Sequence, residues 1–426
     1  MSGFTRRTFI QASGTLAAAT ALGLSGPSRG AASKARVVVV GGGYGGTIAA
    51  KYIQMADPDI QVTLIEKDAT YISCPLSNEV LSGERDLDSL TFSYRGLAKR
   101  GINVVQDEVT GIDPDKRVVK GKAKGGYPYD KLVVSPGIAF RWDAIRGMSE
   151  EAAKTIPHAW KAGPQTLLLK KQLSAMRNGG VCIIVAPPNP FRCPPGPYER
   201  AAQIALYLKT HKPRSKVLVL DAKDAFSKQA LFIEGWKRNY GDMIEWVPAA
   251  AGGAIEAIDP KNRVLTGAVE EFKGDVVNLI PAQKAAALAE SVGLTDASGW
   301  CPVNQQTFES TLKKDIHVIG DAAIAGAMPK SGYAANTQAK VCAAAIVAAL
   351  NGQASPEPSY VNTCYSIIAP DYGISVAGVY QLKEGKIVEV PGAGGLSPAN
   401  ADAATRAIEV QFALGWFRNI TADMFT

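Results

Sequence analysis

The sequence predicts an α/β protein with two Rossmann-like nucleotide-binding domains and a smaller α+β C-terminal domain. Three observations carry this expectation. The apolar run 37–40 leads into Gly41-Gly42-Gly43-Tyr44-Gly45-Gly46, which holds G-x-G-x-x-G at Gly41, Gly43 and Gly46. A second apolar run, 62–65, ends in Glu66. A further set of short apolar runs at 181–185, 216–220 and 276–280 repeats the pattern of buried parallel strands.

The first unit spans 33–155 and resumes at 281–356. Each residue of its glycine turn has a task. Gly41 permits the tight turn, Gly43 lets a pyrophosphate approach the backbone, and Gly46 lets the following helix pack on the strand. The alanine-rich segment 47–56 reads as that helix, whose N-terminus presents free N–H groups to an anion. Glu66, at the end of the next strand, is placed to accept from a ribose hydroxyl. Strands are expected at 103–105 and 118–119. The run 129–134 continues into Ser135-Pro136-Gly137, a second small-residue turn that returns the chain to the nucleotide.

The second unit, 156–280, departs from this pattern. Its first strand runs into Ala186-Pro187-Pro188-Asn189-Pro190. Proline has no N–H to offer a phosphate, and its fixed φ cannot form the glycine turn. The unit therefore reads as a degenerate NAD-like domain. The chain then returns to the first unit. Residues 316–321 read as a buried strand ending in Gly320-Asp321, and 334–350 as a helix starting near Ser331-Gly332-Tyr333. A linker rich in small residues and proline leads to the last unit, 357–426. That unit ends in a helical segment bearing Ile408, Phe412, Leu414, Trp416 and Phe417.

Composition excludes several classes. The formal charge is +7, but Arg6, Arg7 and Arg29 lie in the first thirty residues with no acid, and without them it falls to +4. That is too mild for nucleic-acid binding. Residues 1–32 read as a twin-arginine signal peptide: Arg6-Arg7, a weakly apolar run at 16–24, and small residues at 30–32. The expected location is the periplasm. No other stretch is long and apolar enough to cross a bilayer. The three histidines, His158, His211 and His317, have no ligand spacing, and no metal site is expected.

Six cysteines remain. Cys182 and Cys342 sit in apolar runs and read as buried hydrophobes. Cys301 is ambiguous, while Cys74, Cys193 and Cys364 fall in segments that read as loops.

The paired small turns resemble those of flavin disulfide reductases of the glutathione-reductase type. The loops narrow the resemblance. Residues 71–78, 157–163, 191–200, 328–333 and 362–366 are similar to the flavoprotein subunit of flavocytochrome c sulfide dehydrogenase. The resemblance covers essentially the whole chain after the signal segment.

This resemblance implies FAD-dependent oxidation of sulfide to sulfur or polysulfide through a redox-active disulfide between Cys193 and Cys364, with Glu199 moving protons, or else capping a helix or forming a salt bridge. It implies FAD held by Gly41, Gly43, Tyr44, Gly46, Glu66, Lys67, Val109, Pro136, Gly137, Gly320, Asp321, Lys330, Ser331, Gly332, Tyr333 and Trp416, and joined covalently through Cys74. It implies electron transfer to a c-type cytochrome subunit in a heterodimer. The haem c belongs to that partner, because this chain has no C-x-x-C-H. The alternatives are a sulfide:quinone oxidoreductase, or a catalytically silent flavin-binding scaffold for a cytochrome.

Overall fold

A computed structural model describes residues 35–426. The expected signal segment lies outside the described residues. The first sheet is wholly parallel. Its spatial order is Ile316–Val318, Lys131–Val134, Ala35–Val40, Ile60–Glu66, Asn103–Gln106. The valines of the first strand are almost fully buried, as expected of a strand covered on both faces. Strand order reverses between Ala35–Val40 and Lys131–Val134. A ligand of such a sheet binds beyond the carboxyl ends of the strands at this reversal.

The second parallel sheet runs Ile244–Val247, Lys216–Asp221, Val181–Ala186, Val276–Leu279. Each sheet is accompanied by a small antiparallel sheet, Val109–Asp113 with Val118–Gly121 beside the first and Ile255–Asp259 with Val264–Gly267 beside the second. The architecture is thus the α/β class the sequence predicts.

The C-terminal region contains more strand than the sequence suggests. Ser359–Ala369 and Tyr372–Lys383 form a long antiparallel hairpin, extended by Lys386–Glu389. Cys364 therefore sits in mid-strand opposite Val376, not in a loop. Its flanking asparagine, threonine and serine mimic loop composition, and the pairing partner lies beyond local sequence reach. The chain ends in a helix, Ala403–Phe425. Asp423 on that helix ties it to the first unit through Lys51 and Lys340, and the Phe425 ring stacks on Phe92 at 5.0 Å. Among the described residues no helix is long and apolar enough to cross a membrane.

Candidate active site

The glycine turn closes on itself for steric reasons. Gly41 has φ +101°, and a Cβ there would lie 2.3 Å from the Ser135 carbonyl oxygen. A Cβ on Gly46 would lie 1.8 Å from the Gly41 carbonyl oxygen. At Gly43 the nearest atom would be 3.5 Å away, on the Tyr71 ring. The first and third glycines are thus required by the protein itself, and the middle one leaves open backbone where a pyrophosphate would approach. Glu66 braces this turn by accepting from the Gly42 N–H at 2.7 Å and the Asp68 N–H at 3.1 Å.

Two further segments meet the turn. The Ser135 N–H donates to the Val40 carbonyl, and Gly137 follows Pro136 with φ +69°. Gly320, at φ +75°, donates its N–H to Gln338 Oε1 at 2.8 Å. Asp321 beside it is half-buried, and its buried Oδ1 has no hydrogen-bond partner among the described residues. Burial raises its carboxyl above the ordinary range. An unpartnered buried acceptor at the strand reversal is what a ribityl hydroxyl would satisfy.

Ser331 caps the helix Gly332–Leu350 by accepting from the Ala334 N–H, and its hydroxyl donates to Asn362. Tyr44 packs directly on Gly332 and shares a 2.9 Å hydrogen bond with Ser73. Tyr333 lies parallel to Trp416 at 6.4 Å, and the buried Trp416 Nε1 has no partner among the described residues. Lys330 donates to the carbonyls of Asp321 and Ala323 and sits 3.8 Å from the Trp300 ring centroid. Burial lowers its ammonium to about 8. Lys67 and Val109 lie further out: Lys67 is exposed and Val109 half-buried at the start of a small sheet. The remaining residues fit a flavin dinucleotide, with backbone and helix N-termini toward phosphate and Asp321 toward ribityl.

Cys193 joins this group from the second unit. Its N–H donates to the Lys330 carbonyl at 2.8 Å, and it holds φ +58°. A Cβ on Gly196 would lie 3.0 Å from its sulfur, so the sulfur rests on the first turn of the helix Gly196–His211. Cys364 arrives from the hairpin and lies close enough to Cys193 to bear on the charge of its thiol. Burial, then Cys364, then Glu199 push the Cys193 thiol well up. Both cysteines are half-buried, Cys193 beside the helix Gly196–His211 and Cys364 on the hairpin. Cys193 is reached through a left-handed backbone and Cys364 from mid-strand, opposite Val376.

Glu199 bridges the two cysteine-bearing elements. It accepts from the Ile367 N–H at 2.9 Å and from Asn78 Nδ2 at 3.2 Å. Asn78 in turn accepts from Arg200 Nε at 3.0 Å. Cys74 lies in its loop 3.9 Å from the Trp160 carbonyl, which also receives the Arg192 guanidinium. The charge of Arg192 faces Cys74, Asp321, Tyr71 and Cys193 together.

At the second sheet the nucleotide position is filled by protein. Asp221, fully buried at the end of its strand, accepts from Tyr198 at 2.6 Å, Trp246 at 3.0 Å and Lys223 at 2.6 Å. Tyr198 stacks on Phe226 at 3.6 Å. A cavity of about 330 Å³ remains, lined by Phe191, Pro194, Lys223, Phe226 and Ser227 among others. Among the described residues no cluster of His, Cys, Asp or Glu is arranged to hold a metal ion.

Sequence reasoning assigned no role to Arg192, Asn78, Arg200 or Lys228. The first three lie inside the loops that carry the resemblance, and nothing in the local sequence marks Lys228.

Three family models match the chain. One described as pyridine nucleotide-disulphide oxidoreductase covers residues 35–171. One described as sulfide dehydrogenase (flavocytochrome c) flavoprotein chain, central, covers 166–281. One described as flavocytochrome c sulphide dehydrogenase, flavin-binding, covers 356–425. The flavocytochrome c sulfide dehydrogenase flavoprotein chain of Chlorobaculum thiosulfatiphilum is 56% identical over 45 residues, 11% of this chain and 94% of that sequence. Mitochondrial sulfide:quinone oxidoreductase of Mus musculus is 22% identical over 310 residues, 67% of this chain and 65% of that protein, less than two thirds of its length. The crystal structure of the sulfide:quinone oxidoreductase from Aquifex aeolicus shares the fold at a TM-score of 0.71 and 16% identity, covering 91% of this chain and 92% of that one.

Proposed function

Because the chain belongs to the family of the flavocytochrome c sulfide dehydrogenase flavoprotein chain, we propose that it oxidises sulfide at the Cys193–Cys364 pair and passes electrons to a c-type cytochrome subunit. The observation that supports this most directly is that Cys193 is hydrogen-bonded to the Lys330 carbonyl while Cys364, from a distant part of the chain, lies close enough to bear on its thiol. The flavin, when bound, supplies an acceptor for an electron pair that can be released one electron at a time.

The chain's own residues do the rest. In the disulfide form of the pair, hydrosulfide attacks one sulfur, giving a persulfide on that cysteine and a thiolate on the other. Glu199 and Asn78 hold the two elements at fixed separation. Arg192 sets a positive charge among Cys74, Cys193 and Asp321, where anionic sulfur passes. Asp321, through its unpartnered Oδ1, and Ser331, at the start of the helix Gly332–Leu350, would orient the cofactor. Cys74, beside the Arg192 cation, serves as the covalent anchor. Asp221 has all its neighbouring donors engaged, which argues that nicotinamide dinucleotides do not bind at the second sheet. The arginine pair near the N-terminus directs the protein to the periplasm.

A second reading, transfer to a quinone, is favoured by the named relatives and by Ile408 and Phe412, which are exposed on the last helix. Anaerobic titration with sulfide, followed by addition of either cytochrome c or a short-chain quinone, separates them. Bleaching of the flavin by sulfide and reoxidation by cytochrome c is the expected result. Failure of sulfide to bleach the flavin overturns the proposal, and reoxidation by quinone alone assigns the second reading.

A further inference from the structure

Lys228 is a buried ammonium that the reaction as described does not use. It is 5% exposed, and among the described residues it forms no ion pair with a carboxylate. Its Nζ donates only to neutral acceptors, the Cys364 carbonyl at 3.0 Å and Ser366 Oγ at 2.8 Å. Its backbone is held at φ +62° as the residue capping the helix Gln229–Tyr240, a conformation that costs a non-glycine residue energy. Its ammonium nitrogen lies over the Phe232 ring, 5.7 Å from the centroid. A cation buried without a counter-charge is expensive, and the surroundings must offer a negative group to offset it.

The acids and thiols that face it are few. They are Cys364, Glu199, Cys193 and Glu409, and Cys364 is the strongest influence. Glu199 and Glu409 already receive hydrogen bonds from other groups. The ammonium's two bonds go to the carbonyl of Cys364 itself and to the hydroxyl of Ser366, two residues along the same strand and so on the same face as Cys364. Burial raises the thiols of both cysteines, and Glu199 raises both; at Cys364 the Lys228 ammonium is the first influence after burial, whereas at Cys193 burial is reinforced by Cys364 and Glu199 before Arg192 and then Lys228 oppose it. The cavity of about 330 Å³ ends on Pro194 and Ser227, the immediate neighbours of Cys193 and Lys228.

We propose that Lys228 is a positioning residue that makes Cys364 the leaving sulfur, so that an incoming sulfur anion is directed onto Cys193. This rests on the sulfide-oxidation reading of the pair. In the step, the nucleophile's sulfur bonds to Cys193 Sγ as the Cys193–Cys364 bond breaks. The bonding pair leaves on Cys364 as a thiolate opposite the Lys228 ammonium, and the nucleophile's charge is conserved. No external oxidant is consumed in this exchange.

The test is site-resolved alkylation of the reduced, flavin-containing protein. The protein is held anaerobically at neutral pH, treated with limiting iodoacetamide and mapped by peptide mass spectrometry. Cys364 is expected to react about ten-fold faster than Cys193, because the ammonium favours its thiolate. Lys228→Met should bring the ratio near unity, and Lys228→Arg should restore it. Preferential labelling of Cys193 in the unaltered protein overturns the proposal, as does an unchanged ratio in Lys228→Met. Should Lys228→Met not fold, Lys228→Gln and the ratio in the unaltered protein decide by the same criteria. The labelling needs no sulfide turnover, so loss of sulfide-driven bleaching with an intact ratio counts against the proposed function and not against the role of Lys228.

Discussion

Replacing Glu199 by glutamine tests how the two cysteine-bearing elements are held. Both carboxylate oxygens accept a hydrogen bond, from the Ile367 N–H at 2.9 Å and from Asn78 Nδ2 at 3.2 Å. A glutamine satisfies only one of these donors, because its other terminal atom is itself an NH₂. Asn78 cannot flip to compensate, since its Oδ1 accepts from Arg200 Nε at 3.0 Å. Its Nδ2 also reaches the Gly196 carbonyl at 3.4 Å, which softens the loss. A buried donor left facing a donor costs about 1–3 kcal/mol. Glu199→Gln should therefore lose that much stability in urea denaturation. Asn78→Asp should also destabilise, because two buried carboxylates would approach each other and one must hold a proton. The double variant reverses the donor and acceptor across the gap while keeping the Ile367 and Arg200 bonds. It should recover at least about half of the summed loss, a coupling typical of groups in direct contact. Additive losses, or a Glu199→Gln protein as stable as the parent, would show that Glu199 is not the bridge described.

Gly46→Ala should abolish the dinucleotide cradle, because its Cβ would fall 1.8 Å from a backbone oxygen that cannot yield without opening the turn; flavin content of the purified protein should drop at least about ten-fold, and full occupancy refutes the steric argument. Acid should destabilise the protein before most carboxylates titrate. Burial holds His158 down to about 3 and His317 to about 4, against an ordinary 6.5. The unfolded chain therefore binds protons that the folded protein refuses, and stability falls as pH drops from 6.5 toward those values, by up to about 1.4 kcal/mol per pH unit for each histidine. Urea midpoints that stay level between pH 6.5 and 5 would contradict this. NADH added anaerobically should leave the flavin spectrum unchanged, since Asp221 already accepts from Tyr198, Trp246 and Lys223; bleaching by NADH refutes the filled-site reading.

Local sequence determined the parts of this protein whose physics is local. Four consecutive valines require cover on both faces, Gly41 and Gly46 tolerate no side chain where they stand, and prolines after Ala186 remove the donors a phosphate needs. The resemblance of the loops then singled out Cys74, Cys193, Cys364 and Glu199. What only the tertiary structure decided is who stands beside them. Cys364 proved to lie in a strand whose partner is supplied by the other arm of the hairpin, and Glu199 to be a bridge because Asn78 and Ile367 converge on it from far along the chain. Lys228 has no motif at all, and its meaning comes from burial without a counter-charge. Hydrogen bonding and charge compensation are settled by neighbours in space, and a linear sequence records neighbours only along the chain.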